Sequence, residues 1–144
     1  MFCSYGMRHL KLRIWVGILV GLDMLSKYIF YNINYLNDTF LILPVLNKWI
    51  SRSLPVPFIL IILVSIGGIG AFLWLCITKK FGRGIGALLI AGTIGNLIDR
   101  ILYWGVRDFI NIWLINFPIF NVADIMLSLW VAIRIIRVML EKKK

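Results

Sequence analysis

A single histidine (His9) and two cysteines (Cys3 and Cys76) stand in this chain of 144 residues. They leave no ligand set for a zinc site of three or four side chains of the usual kind, and no disulfide framework. Charge is scarce as well. Asp, Glu, Lys and Arg make up 15% of the chain, against about 25% in a soluble domain. Hydrophobic residues reach 61% and the mean hydropathy is +0.92. Such an apolar excess excludes a water-soluble globule, and it excludes disorder, which goes with few apolar residues and much charge. Also missing are the H-E-x-x-H, P-loop and dinucleotide-binding glycine patterns. What is there is a small integral membrane protein, a single domain by its length.

A bilayer core about 30 Å thick requires about 20 mostly apolar residues per spanning helix. Four segments qualify, at about 12–30, 56–77, 84–102 and 122–140. Open backbone is not tolerated in hydrocarbon, so all four are expected to be helices. The net charge of +10 is placed rather than scattered. Arg8, Lys11 and Arg13 precede the first span; Lys79, Lys80 and Arg83 join the second to the third; Arg134, Arg137, Lys142, Lys143 and Lys144 close the chain. Eleven of the 16 basic residues thus share one side, which predicts that both termini are cytoplasmic. The excess reports topology and contact with anionic lipid; no nucleic-acid partner is needed to explain it. The run 14–22 has the length of a signal-peptide core. No small-x-small cleavage site follows it, so the segment is expected to be retained as a helix. Gly17/Gly21, Gly82/Gly86 and Ala91/Gly95 have the spacing that lets helices approach closely.

Only six residues are acidic. Glu141 belongs to the cytoplasmic tail, and the other five map to the membrane interior or its outer side. At about 1.5 Å per residue, Asp99 lies roughly 20 Å from the inner end of its span. Asp124 opens the fourth span, and Asp108 sits in the short connection between the two. A carboxylate at mid-bilayer costs about 2.5–3.5 kcal/mol on insertion scales, so such residues point to function by default. Each also has a structural explanation. Asp23 and Lys27 are spaced i, i+4 and suit an ion pair. Asp99 and Arg100 suit a snorkelling pair at a helix end. Asn121 is placed as a helix N-cap with Asp124 as its capping-box acid. Asp38, beside Asn37, reads as a turn residue. Asp108 has no local structural excuse beyond its neighbour Arg107.

Two carboxylates a few ångströms apart share a proton, because both cannot ionise easily. The ionised partner then takes a proton from water, while the protonated one polarises a carbonyl and protonates the leaving nitrogen. Asp108 and Asp124 are the natural pair for such chemistry. Ser26 and Lys27 are adjacent on a helix and diverge, which argues against a Ser/Lys dyad, and His9 lies on the wrong side with no nucleophile near it.

Three blocks carry a resemblance: G-T-I-G-N-L-I-D-R at 92–100, V-R-D-F-I at 106–110 and F-N-V-A-D at 120–124, with D-x-x-x-K at 23–27. In order and spacing they resemble the signature blocks of lipoprotein signal peptidase (signal peptidase II). The resemblance implies an aspartic endopeptidase of the bacterial inner membrane, multi-pass and monomeric. Its substrate would be a prolipoprotein carrying diacylglycerol on the cysteine just after the cut, with the site at the outer, periplasmic face. Asp108 and Asp124 match the catalytic pair. Asp23, Lys27, Asn47, Asn96, Asp99, Arg100 and Asn121 match the polar residues that support it or meet substrate. No metal or cofactor is implied. The expected fold is an all-α membrane protein of four transmembrane helices. A small extracytoplasmic β-cradle and an interfacial segment would come from the first outer loop, about 31–55.

The chain departs from that pattern at Trp49, where glycine is usual, at Arg52, where an aromatic is usual, and at Arg107, where the usual residue is apolar. Arg107 is expected to face water, since an inward cation would oppose proton sharing. Two other classes remain open: a catalytically silent relative that binds lipidated peptides, and a small transporter using Asp23, Lys27 and Asp99 as a polar path.

Overall fold

The computed structural model describes residues 2–32, 41–48, 57–78, 82–115 and 117–141. Helix α1 (Phe2–Lys27) relaxes into a π turn, Tyr28–Asn32; strand β1 (Ile42–Asn47) and helix α2 (Phe58–Ile77) follow. Helix α3 (Arg83–Tyr103), strand β2 (Val106–Ile110), a 3-10 turn (Trp113–Ile115) and helix α4 (Val122–Glu141) complete the chain. Among the described residues, three stretches are long and apolar enough to cross a membrane: Leu10–Asn32, Phe58–Ile77 and Gly84–Tyr103, with mean hydropathies of 1.4, 2.6 and 1.5. Twenty helical residues measure about 30 Å, the thickness of the hydrocarbon. Helix α4 has that length, with its apolar stretch at Val122–Ile133.

The helices are apolar outside as well as inside. Ile59, Leu63 and Val64 of α2 are each more than half exposed, and Ile61 is the buried residue of that helix. Such a surface suits lipid. The core forms instead around α3, which packs against α1, α2 and α4. Small residues make this possible. A Cβ at Gly86 would strike Cys76 Sγ of α2, and one at Gly92 would lie 2.7 Å from the Ala123 carbonyl oxygen of α4. One at Gly95 would run into the Asp23 carboxylate of α1. The spacing argument therefore holds for Gly95 and Gly86. It fails for Gly17 and Gly21, which face open space; glycine spacing alone does not say which helix face meets a neighbour.

Strands β1 and β2 pair antiparallel, with Val45 opposite Asp108, Leu46 opposite Arg107 and Asn47 opposite Val106. The register is irregular between Ile42 and Val45, where Pro44 has no N–H to donate. Phe120 extends the arrangement: its N–H donates to the Ile110 carbonyl at 3.1 Å and its carbonyl accepts from the Ile110 N–H at 2.8 Å. The sheet thus draws on the α1–α2 and α3–α4 connections, where the sequence pointed to the first alone, and Asp108 lies on a strand instead of in an irregular connection. Helix α3 reaches β2 through Trp104, left-handed at φ 56°, whose N–H caps the Arg100 carbonyl at 3.0 Å. Its ring packs on Phe58 of α2, centroids 4.7 Å apart. The expected interfacial segment, Asp38, Trp49 and Arg52 lie outside the described residues.

Candidate active site

At the C-terminal end of α1, one helical turn separates Asp23 from Lys27, and Lys27 Nζ lies 2.8 Å from Asp23 Oδ2. The same ammonium is 3.3 Å from Asp99 Oδ2 and donates to Asn96 Oδ1 at 3.2 Å, both on α3. Asp23, Lys27 and Asp99 have no solvent exposure at all, so the cation and its two acids offset one another's charge inside the bundle. Asp23 Oδ1 also accepts the Ala123 N–H at 2.8 Å. That places a carboxylate on the first turn of α4, where the helix leaves N–H groups without partners and its dipole favours negative charge.

Asn121 caps α4 as its sequence position suggests. Its side-chain oxygen accepts the Asp124 N–H at 3.1 Å, and Asp124 Oδ2 accepts the Asn121 N–H at 3.2 Å. The amide of the same side chain points the other way. Asn121 Nδ2 donates to Asp108 Oδ1 at 2.6 Å and to Asn96 Oδ1 at 3.2 Å. One buried asparagine therefore touches both Asp108 and Asp124. The pairing of Phe120 with Ile110 makes this reach possible, because it delivers the next residue, Asn121, beside β2.

Two further amides complete the set. Asn47 Nδ2, from the end of β1, donates to Asp108 Oδ2 at 3.0 Å, and Asn96 Nδ2 donates to Asp124 Oδ1 at 2.8 Å. Among the described residues, each of the four carboxylate oxygens thus accepts one N–H and keeps a second lone pair. Burial pushes the Asp108 carboxyl up from 3.8 to about 6, and the nearby Asp124 carboxylate adds to the rise; the Asn47 and Asn121 donors and Lys27 oppose it. Arg100 donates to the Asn96 carbonyl at 3.3 Å, and its charge is within electrostatic reach of Asp124, Asp108 and Asp99. An apolar groove of about 440 Å³ runs along α4 to Asp124, lined among others by Ile112, Phe120, Ser128 and Leu129. The arrangement is a pair of amide-held carboxyls, one reluctant to ionise, at the mouth of a greasy groove.

Two expectations change. Asp99 does not pair with Arg100: its carboxylate is taken by Lys27 and Arg107. Arg107 does not face water. It is 5% exposed, and its guanidinium lies 2.8 Å from Asp99 Oδ1 and 4.4 Å above the Tyr103 ring. The reason is the strand: alternation sends the side chains of Arg107 and Asp108 to opposite faces, so Arg107 turns inward toward α3 without meeting the carboxyl pair. The β-branched and aromatic character of 106–110 was the signal available for that strand.

A model of the family described as Signal peptidase (SPase) II matches residues 15–140. The lipoprotein signal peptidase of Brevibacillus brevis is 32% identical over 140 residues, covering 89% of this chain and 94% of its own length. That of Microcystis aeruginosa is 30% identical over 140 residues, covering 80% and 84%. Among solved structures, a bacterial membrane enzyme determined in meso at 2.3 Å resolution superposes with a TM-score of 0.77 at 27% identity, covering 92% of this chain and 89% of the other. A second, determined at 1.9 Å, gives 0.76 at 28% identity, covering 89% and 92%.

Proposed function

The chain belongs to the signal peptidase II family, and from that premise we propose that it cleaves signal peptides from diacylglyceryl-modified prolipoproteins, just before the lipidated cysteine, with water activated by Asp108 and Asp124. The family is one of proteases, and the relatives in Brevibacillus brevis and Microcystis aeruginosa carry the name lipoprotein signal peptidase. The observation that carries the aspartic mechanism is Asn121, whose amide donates to Asp108 while its backbone N–H and side-chain oxygen hold Asp124.

In this mechanism the pair holds one proton between two carboxyls, and its apparent ionisations belong to the pair. The ionised member removes a proton from a water placed between the free lone pairs. The protonated member hydrogen-bonds the scissile carbonyl, then gives its proton to the leaving nitrogen as the tetrahedral intermediate collapses. Burial of Asp108 supports the shared proton, since it disfavours the doubly ionised state. Asn47, Asn96 and Asn121 hold the carboxyls in place. Asp23, Lys27, Asp99 and Arg100 support them from behind, with Asp23 also anchoring the start of α4. The groove ending at Asp124 suits an apolar segment of the precursor. No metal or cofactor enters the scheme.

In the cell, the reading is of a single membrane domain of four spans, both termini cytoplasmic, working as a monomer in the bacterial inner membrane with its site at the outer face. The test is cleavage of a diacylated precursor in detergent or lipid. Asp108→Asn and Asp124→Asn are each expected to abolish cleavage in protein that still inserts. Normal processing by either variant would overturn the aspartate mechanism, and a wild type that binds precursor and never cuts it would favour the binding-only relative.

A further inference from the structure

Arg107 precedes Asp108 in the chain and is held more tightly than any purely local role requires. Its Nη2 and Nε lie 2.8 and 3.2 Å from Asp99 Oδ1, and its backbone N–H donates to Asp99 Oδ2 at 2.9 Å. The Tyr103 ring lies under the guanidinium and Met24 Sδ is 3.9 Å from Nη2. A buried cation is expensive to desolvate and persists where its partners are well placed. Here the partner is a carboxylate that would otherwise share a single cation with Asp23: the buried cluster holds Asp23 and Asp99 against Lys27 and Arg107, two charges of each sign. Without Arg107 it would carry an uncompensated negative charge beside the carboxyl pair, and Lys27 would have two acids to serve as well as Asn96.

Resting on the reading of Asp108 and Asp124 as the hydrolytic pair, we propose that Arg107 is a positioning residue. By gripping Asp99 through side chain and backbone together, it fixes β2 against α3 and so seats Asp108 on Asn121. Its charge offsets Asp99, which keeps the buried cluster neutral behind the pair. The charged and titratable groups facing Asp108 are Asp124 from α4, Lys27 and Tyr31 from the α1 segment, and Arg100 from α3; Asn47 from β1 and Asn121 are neutral, and Asp99 lies with Arg107 on the other face of β2. Removing Arg107 subtracts a positive charge from their surroundings and makes ionised Asp108 less favourable. Side chains sent to opposite faces of a strand hold two such charges about 10 Å apart, and at an effective dielectric of about 20 that corresponds to roughly one pH unit.

The experiment compares wild type with Arg107→Met, Arg107→Lys, Asp99→Asn and the double variant Arg107→Met/Asp99→Asn in detergent. It reads kcat and KM against pH on a diacylated precursor, and the infrared carboxyl band of Asp108, identified by its loss in Asp108→Asn. Arg107→Met is expected to lower kcat about 10²-fold, as a misplacement of about 1 Å does, with KM little changed. The alkaline limb, set by loss of the proton that Asp108 holds, and the Asp108 band both move up by roughly one unit. Arg107→Lys keeps the limb but loses kcat, Asp99→Asn moves the limb down, and the double variant returns it. A wild-type kcat and limb in Arg107→Met would overturn the proposal. So would variants whose activity merely tracks folded protein at every pH with an unmoved band. If wild type does not cleave, the peptidase reading fails, and the infrared titration still decides what Arg107 does to Asp108. If Arg107→Met does not insert, Arg107→Lys and Asp99→Asn carry the same comparison, and an unmoved limb and band in Asp99→Asn overturns it.

Discussion

Asp108→Asn is expected to trade activity for stability, and the trade has a pH signature. The fold raises the Asp108 carboxyl from 3.8 to about 6. An acid raised in the folded state gives up stability as pH rises: below about 3.8 both states are protonated, between 3.8 and about 6 the unfolded chain ionises while the fold keeps its proton, and above about 6 the penalty is constant. Two pH units and more, at 1.36 kcal/mol each, set it at about 3 kcal/mol. Asparagine never ionises and escapes it. Against this stands an offset independent of pH. Asn47 and Asn121 both donate to Asp108, whereas an amide has one acceptor oxygen, so one donor loses its partner at about 1–3 kcal/mol. The variant is therefore expected to be the less stable protein at pH 4 and to gain about 3 kcal/mol on wild type by pH 7. Unfolding in detergent, followed by tryptophan emission at a series of pH values, measures the difference. A difference that stays flat across that range, or that grows as pH falls, would refute the reasoning.

Three other outcomes follow from the packing and the ion pairs. Gly95→Ala pushes a methyl into the Asp23 carboxylate and should destabilise the protein severely in a thermal melt. Gly17→Ala meets nothing and should be neutral or stabilising by up to about 1 kcal/mol. Lys27→Met leaves Asp23 and Asp99 competing for Arg107 inside the bundle and should cost about 3–5 kcal/mol; adding Asp23→Asn should recover part of the loss, and no recovery would show that the cluster is not acting through charge. Asn121→Ala removes a helix cap worth about 1 kcal/mol together with the bridge between Asp108 and Asp124. Cleavage should fall far more than the melting temperature, and a loss of activity proportional to lost fold would count against the bridge.

The sequence alone determined the membrane class, because 61% hydrophobic residues with 15% charged admit few other solutions, and it placed α2, α3 and α4 within a few residues, because hydrocarbon leaves the backbone little choice; α1 begins at Phe2, ten residues before the apolar run that marked it. Local pairs were legible too: Asp23–Lys27 and Asn121–Asp124 stand three or four residues apart on one helix, and the structure brings each pair into contact. Long-range partners were not legible. That Lys27 reaches Asn96 across 69 residues, that Ala123 is capped from 100 residues away by Asp23, and that Asn47 meets Asp108 across 61, only the tertiary structure decided. Arg107 shows the physical reason most clearly. Whether a cation beside Asp108 faces water, the carboxyl pair or Asp99 depends on the pleat of a strand, and that strand exists only where the α1–α2 and α3–α4 connections pair.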